Sequence, residues 1–112
     1  MVQYAVSTLE DYMKVLKFKI HEGYFEQFKE ICIAEEVNVK KKLFLLLSED
    51  YETNEIASYF PEDHHEHLRN MTLKVNEELY KGVSRKCSRL DLSVRDYLPY
   101  LIYKCLKEHN GN

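Results

Sequence analysis

The stretch KVLKFKIHEGYFEQF, residues 14–28, changes its periodicity midway and predicts a strand that runs directly into a helix. From Lys14 to Ile20 polar and apolar residues alternate, which is the two-residue period of a half-buried strand. From Glu22 onward the apolar residues recur at three- and four-residue spacings, typical of a helix with one buried face. These apolar residues are Tyr24, Phe25, Phe28, Ile31 and Cys32.

The same pattern returns 55 positions later in the chain. LKFKIHEGYFEQFKEICIAEEVNVKKKLFLLL at 16–47 aligns without a gap to MTLKVNEELYKGVSRKCSRLDLSVRDYLPYLI at 71–102. Few residues are identical, but the strand phase, the helix phase and a helix-capping residue before the second helix, Asn38 or Ser93, are preserved. Each copy therefore predicts strand, helix, helix, with strands at 15–20 and 70–75, first helices at 22–35 and 77–90, and second helices at 39–50 and 94–108.

Two parts of the chain depart from this pattern, the start of the first helix and the second helix of the second copy. His21 is an indifferent N-cap, and Gly23 follows it in the first turn of the helix. Pro99 falls inside the second helix of the second copy, where proline removes a backbone donor and kinks the helix. That helix is expected either to bend or to start later than residue 94.

The rest of the chain divides around the two copies. We predict an N-terminal extension at 1–14, in which STLE at 7–10 favours a short extra helix. The copies occupy 15–50 and 70–108, an acidic linker joins them at 51–69, and a tail follows at 109–112. The net charge is −3, but residues 49–66 hold seven acids and no Lys or Arg, so the remainder is mildly basic.

Composition argues against several classes of protein. No apolar run approaches a membrane span, and no secretory signal opens the chain, so a cytoplasmic protein is expected. Three cysteines without a C-x-x-C pair favour free thiols over disulfides or zinc. The histidines of HHEH at 64–67 form a weak ligand set, and we predict a hydrated linker there and no metal. Nothing predicts an enzyme or a cofactor, because no glycine-rich phosphate loop and no nucleophile with partners is found.

One strand and two helices cannot close a core alone, because a lone strand leaves both edges unpaired. Two such units solve this if their strands pair antiparallel and the helices pack beneath. We therefore predict a mainly α fold with a two-stranded antiparallel ribbon. Its core-facing side chains would be Leu16, Phe18, Ile20, Met71, Leu73 and Val75. Its outward side chains would be Val15, Lys17, Lys19, Asn70, Thr72 and Lys74.

Strand, helix, short turn with a small polar cap, and helix is similar to the ribbon-helix-helix DNA-binding superfamily of the Arc and MetJ repressors. VNEELYKGVSRKCSRLDLSVRDYLPYLIYKCL at 75–106 resembles that family's consensus, and residues 16–47 look like a diverged copy. Most members of the family are homodimers, whereas this chain resembles the rarer tandem variety. That resemblance implies a pseudo-dimer within one chain, with exchange of copies between two chains as the alternative.

The resemblance implies a sequence-specific transcriptional regulator, a repressor, that inserts its ribbon into the major groove of double-stranded DNA. The implied base-contacting residues are Lys17, Lys19, Asn70, Thr72 and Lys74. The starts of the second helices would hold phosphates. The implied phosphate-contacting residues are Asn38, Val39, Lys40, Ser93, Val94 and Arg95. Because the strands differ, the operator would be an imperfect palindrome. The implied setting is a prokaryotic or virus-infected cell, with homo-oligomers or cooperative assembly on DNA as a further expectation.

Other interpretations stay open from sequence alone. Lysines on an exposed ribbon also prevent edge-to-edge aggregation. Val15 points outward as well, and it would either touch a thymine methyl or mark where the ribbon leaves the groove. A protein-interaction module could keep the fold without DNA, a reading that the negative net charge favours. In an antitoxin-like role, the acidic 49–66 segment or the C-terminal end would bind a partner protein.

Overall fold

A computed structural model describes residues 13–53 and 67–110 of the chain, and these form a mainly helical fold with one two-stranded antiparallel sheet. The predicted combination of helices and antiparallel ribbon is confirmed. The predicted 7–10 helix, most of the predicted linker and residues 64–66 of HHEH lie outside the described residues. The elements are β1 (Met13–His21), α1 (Glu22–Ala34), α2 (Val39–Asp50), β2 (Leu68–Asn76), α3 (Glu77–Arg89) and α4 (Val94–Asn110).

Both strands are longer than predicted, each by two residues at its start and one at its end. Met13 lies opposite Asn76 and His21 opposite Leu68, so the antiparallel ladder continues beyond the alternating residues. The strands therefore extend into the predicted extension and linker. Helix α4 likewise continues to Asn110, inside the predicted tail.

One face of the sheet forms the top of the hydrophobic core. The six side chains predicted to point inward are all buried, and the most exposed of them retains 7% of its surface. Each such burial stabilises the fold by about 1.5–3 kcal/mol. Buried residues on all four helices pack beneath them in the same cluster, among them Phe28, Leu43, Leu47, Val83, Leu98 and Ile102.

β1 passes into α1 without a loop because His21 serves as the helix N-cap. Its Nδ1 atom accepts a hydrogen bond from the Gly23 N–H at 3.1 Å. A Cβ on residue 23 would stand 3.2 Å from the His21 ring, so glycine leaves room for this cap. The Glu22 N–H donates to the carbonyl oxygen of His67 at 2.8 Å, which ties the same turn to the start of β2. The prediction that His21 caps poorly is wrong.

The two interhelical turns share one geometry. Glu36 and Asp91 adopt left-handed backbone conformations, with φ of 56° and 53°. In the first turn the Val37 N–H donates to the Cys32 carbonyl at 2.9 Å, and in the second the Leu92 N–H donates to the Cys87 carbonyl at 2.8 Å. This pattern ends a helix and turns the chain sharply.

Helix α4 begins at Val94, so the alternative of a later start is wrong. Pro99 lies inside this helix, five residues after its first. The helix buries Tyr97, Leu98 and Tyr100 around the proline, so tertiary packing on both sides holds this turn in place.

A charged network that the sequence did not predict lies within the core. Lys86 is fully buried and Asp50 is 6% exposed. The Lys86 ammonium donates to the Asp50 carboxylate at 2.9 Å, to the Asp50 backbone carbonyl at 2.6 Å and to the Thr53 hydroxyl at 2.9 Å. The Tyr97 hydroxyl donates to the same carboxylate at 2.5 Å, and Lys104 reaches its other oxygen at 3.2 Å. The network thus joins the end of α2 to α3 and α4.

This network shifts the pKa values of Asp50, Tyr97 and Lys104. Burial alone would raise the pKa of Asp50, but hydrogen bonds from Tyr97 and Lys86 outweigh burial and hold that pKa below its ordinary value. Burial and the hydrogen bond to Asp50 raise the pKa of Tyr97. Burial opposes a higher pKa for Lys104, yet its bond to Asp50 raises it. Asp50 is therefore held as a carboxylate and Tyr97 as a neutral phenol.

We expect Asp50 to make the protein sensitive to acid. The pKa of Asp50 is lower in the folded protein than in the unfolded chain, where aspartate titrates near about 3.9. Its contribution is therefore fully present above that value and is lost as pH falls through the folded pKa. Urea unfolding between pH 3 and 7 should show a shallower acid decline for Asp50→Asn than for wild type, and equal slopes would contradict this.

Candidate nucleic-acid interface

The exposed face of the sheet carries all five predicted base-contacting side chains. In the register of the two strands, Lys17 lies opposite Thr72 and Lys19 lies opposite Asn70. Lys74 lies opposite Val15, which is 44% exposed. All of these side chains are exposed, whereas the residues that lie between them along each strand are buried. Directly opposed side chains on one face of an antiparallel pair lie close enough to act on one ligand.

This sheet is locally basic although the whole chain is acidic. Neither strand sequence, MKVLKFKIH or LRNMTLKVN, contains an aspartate or a glutamate. Together the two strands contain four lysines and one arginine, and three of these five cations, Lys17, Lys19 and Lys74, are on the outward face. A concentration of one sign of charge on a surface attracts ligands of the opposite sign regardless of the small net charge. The sheet can therefore attract a polyanion.

The start of α2 stands beside this face. The Lys40 ammonium lies 3.4 Å from the Thr72 hydroxyl oxygen, which links the helix start to the middle of the ribbon. A groove of about 490 Å³ runs between them. The groove thus brings Lys40, a predicted phosphate-contacting residue, together with the predicted base-contacting residues Thr72 and Lys74. The residues lining the groove are Val15, Lys40, Lys41, Phe44, Thr72, Leu73 and Lys74.

The helix starts offer fewer free backbone donors than predicted. The Asn38 side-chain oxygen accepts from the Lys40 N–H at 2.8 Å and the Lys41 N–H at 3.3 Å. Asn38 therefore uses donors that were expected to be open for a phosphate, and Lys40 would act through its ammonium instead. At α4 the Ser93 hydroxyl oxygen accepts from the Asp96 N–H at 3.2 Å.

The N–H groups of Val94 and Arg95 make no hydrogen bond to another described residue, and the same holds for Val39 at the start of α2. These three amides belong to the first turns of their helices, where N–H groups point out of the helix end and favour an anion. The Arg95 side chain is exposed and has no hydrogen-bond or ion-pair partner within the described ranges. The start of α4 thus keeps its predicted donors, but no hydrogen bond or ion pair among the described residues joins Val94 or Arg95 to the ribbon.

The two helix starts also differ in charge. At α2, Lys40 and Lys41 face the groove, while the Lys42 ammonium is 2.7 Å from a Glu35 carboxylate oxygen. At α4, Arg95 is followed by Asp96, an acid in the first turn. The α2 start is therefore the more basic of the two.

Sequence reasoning missed one contributor to this surface and one cation of the ribbon that lies outside it. Phe44 forms part of the groove wall, and its position four residues after Lys40, on the same helix face, could have predicted this. Arg69 lies opposite the core-facing Ile20, so its side chain is on the other face of the sheet, 3.1 Å from Glu22 and with its guanidinium 4.1 Å from the centre of the Phe25 ring. Arg69 was missed because the strand was expected to begin one residue after it.

Among the described residues, no helix combines the length and apolar character that a bilayer crossing requires. No group of three or more potential metal ligands is found in the same ranges. No protein-family model, curated protein or solved structure matches this chain. The functional assignment therefore rests on the geometry and charge of the ribbon and its neighbouring helix start.

Proposed function

We propose that this protein is a sequence-specific double-stranded DNA-binding transcriptional regulator, a repressor, that inserts its ribbon into the major groove. The observation that carries this proposal is the exposed sheet face, with lysine, threonine and asparagine side chains and no acid in either strand. The major groove is wide enough for a two-stranded ribbon, and each base pair there displays a distinct set of donors and acceptors.

We also propose that the chain is a tandem ribbon-helix-helix pseudo-dimer. Thr72, which faces Lys17, lies 55 residues after it. The facing pairs on either side are Val15–Lys74 and Lys19–Asn70, and the 55-residue alignment matches Val15 with Asn70 and Lys19 with Lys74. The register is therefore that of a twofold axis passing between Lys17 and Thr72. The left-handed turn residues of the two halves are also 55 positions apart. Both halves of the proposed DNA-binding unit would then come from one chain.

Each side chain of the proposed interface has a distinct role. Lysine donates to guanine O6 and N7, and asparagine pairs with adenine N6 and N7, while threonine is permissive. Lys17, Lys19 and Lys74 would therefore favour guanines, and Asn70 an adenine. Because facing residues are unlike, the preferred site is an imperfect palindrome. Lys40 and the free amides of Val39, Val94 and Arg95, beside Ser93, would hold phosphates and fix the register.

Replacing Lys40 by alanine should weaken binding to specific and nonspecific DNA alike. The loss of one phosphate contact should reduce the slope of log affinity against log salt by about 0.9. Fluorescence anisotropy at four salt concentrations measures this slope. Lys42→Ala is the matched control, because the Lys42 ammonium is engaged by Glu35. A slope that stays at the wild-type value in Lys40→Ala would remove Lys40 from the phosphate contacts.

In-vitro selection from random duplex DNA tests the proposed function directly. We expect wild-type protein to enrich an imperfect palindrome and the combined Lys17→Ala, Lys19→Ala, Thr72→Ala and Lys74→Ala variant to enrich none. A variant that alters the outward residues leaves the core intact, so circular dichroism should match wild type. Absence of any enriched sequence with folded wild-type protein would reject specific DNA recognition.

The acidic run at 49–66 favours a second candidate, a protein-interaction or antitoxin-like module that keeps the fold without specific DNA binding. Such a run repels DNA and attracts a basic partner. Affinity purification from the source cell separates the two candidates. A small basic protein that co-purifies in stoichiometric amount would favour this second function if the selection experiment also yields no preferred DNA site.

A further inference from the structure

The buried network around Asp50 has no counterpart in the other half of the molecule. In the 55-residue alignment, Asp50 corresponds to Cys105 and Lys86 to Ile31. The network's other members also change type, because Tyr97 corresponds to Lys42 and Lys104 to Glu49. One half therefore supplies the carboxylate, and the other supplies every side-chain donor to it.

From this asymmetry we infer that the network determines which halves pair. An N-terminal half, residues 15–50, then pairs with a C-terminal half, residues 70–108, and not with a second N-terminal half. The inference rests on the tandem pairing proposed above. We call one N-terminal half with one C-terminal half a mixed pair, and two halves of the same kind a like pair. Asp50 and Lys86 contact each other only in a mixed pair, and both are almost fully buried. Specific association is often achieved by penalising the wrong partner as well as by favouring the right one.

Pairing of two C-terminal halves is penalised most. In such a pair Lys86 would face Cys105 of the second chain in place of Asp50. A buried ammonium without a carboxylate is strongly destabilising, because no interaction replaces its lost hydration. The side chain cannot escape to solvent without vacating the core, since it is fully buried between α3 and the end of α2.

Pairing of two N-terminal halves also loses the network. Asp50 would face Ile31 where the mixed pair has Lys86, and Glu49 where it has Lys104. Lys42 would replace Tyr97, but the Lys42 ammonium is already bound to Glu35 at 2.7 Å. When two chains associate through like pairs, the two N-terminal halves pair with each other and the two C-terminal halves do the same. A free-energy penalty on either like pair therefore opposes this association of two chains.

Chemical cross-linking at the centre of the ribbon tests the inference. Residues 17 and 72 face each other in the mixed pair, whereas in like pairs residue 17 faces residue 17 and residue 72 faces residue 72. Single Lys17→Cys and Thr72→Cys proteins, refolded from urea and treated with a short bismaleimide, therefore form covalent dimers only through like pairing. The double variant should instead cross-link within one chain.

Native cysteines should interfere little with this measurement near neutral pH. Burial raises the pKa of Cys32 and Cys105, and it raises that of Cys87 to about 11. These thiols carry little of the reactive thiolate at pH 7. A protein without an added cysteine provides the background.

The decisive variant is Lys86→Met in each single-cysteine background. It removes the ammonium that penalises like pairing, and it leaves Asp50 bonded to Tyr97 and Lys104. We expect at least a fivefold increase in covalent dimer through residue 17 and through residue 72. Lys81→Met is the matched control, because Lys81 is an exposed lysine of the same helix.

Dimer yields that stay at the Lys81→Met level would overturn the inference. Asp50→Leu with Lys86→Met serves as the second variant, because apolar replacement of a complete buried ion pair preserves folding in other proteins. If neither variant unfolds cooperatively, the network is required for folding itself, and the inference also fails. The DNA proposal fails separately, through the selection experiment, and the tandem pairing fails if the double-cysteine protein does not cross-link within one chain.

Discussion

Replacing Asp50 by alanine is expected to lower the free energy of unfolding by about 3–5 kcal/mol at neutral pH. The substitution leaves the fully buried Lys86 ammonium with only the residue-50 backbone carbonyl and the Thr53 hydroxyl as acceptors. It also takes the acceptor from the buried Tyr97 hydroxyl. A buried charge without its partner retains its full desolvation penalty, which is why one small change has so large an effect.

Urea denaturation followed by circular dichroism measures this loss. Glu22→Ala is the matched control, because it removes an exposed acid whose pair with Arg69 is accessible to water. Exposed pairs contribute about 0–1 kcal/mol, so this control should change stability little. Equal losses in the two variants would show that the Asp50 network does not stabilise the fold. Combining Asp50→Leu with Lys86→Met should recover most of the stability that Asp50→Ala loses.

Replacing Lys17, Lys19 and Lys74 together by alanine is expected to weaken binding to the selected DNA site by about a hundredfold or more. A good base contact contributes about 1–3 kcal/mol of discrimination, so the loss of three such contacts far exceeds tenfold. Because all three side chains are exposed, stability should change little, as is usual for surface positions.

The control for this triple variant must remove the same charge from another surface. Lys29, Lys81 and Lys107 are exposed helical lysines, and replacing them by alanine makes the same change in net charge. If both triple variants lose affinity equally at one salt concentration, the ribbon contributes only general electrostatic attraction. A loss confined to the ribbon variant, and larger for the selected site than for random DNA, supports base recognition.

The sequence predicted the ribbon well because local patterns define it. Alternation in Leu16–Ile20 identified the buried face, and the repeat placed the second strand opposite the first. Antiparallel pairing then followed because neither copy can close a core alone, whereas the residue-by-residue register was not predicted. The strand ends were missed because Met13 and Leu68 fall outside the alternating segments, and only their pairing partners reveal that they belong to the sheet.

The Asp50 network was missed because its members are distant in sequence and meet only through tertiary packing. Two local clues were nevertheless present. Lys86 lies three residues after Val83, on the apolar face of its helix, and Asp50 lies three residues after Leu47 in the same way. A charged residue on an apolar face predicts a buried partner, but the helical period cannot say which one. This clue was missed because Asp50 was counted with the acidic run at 49–66.

The two strands of the sheet are encoded at separate places in one chain, and this has an evolutionary consequence. In a symmetric dimer each substitution occurs twice, once in each subunit, so the two ends of its ribbon must change together. Here a single codon change alters one end while the other keeps its chemistry, as the facing pairs Lys19–Asn70 and Val15–Lys74 already illustrate. The two ends of the surface can therefore differ in chemistry, so a target without twofold symmetry can bind in one preferred orientation.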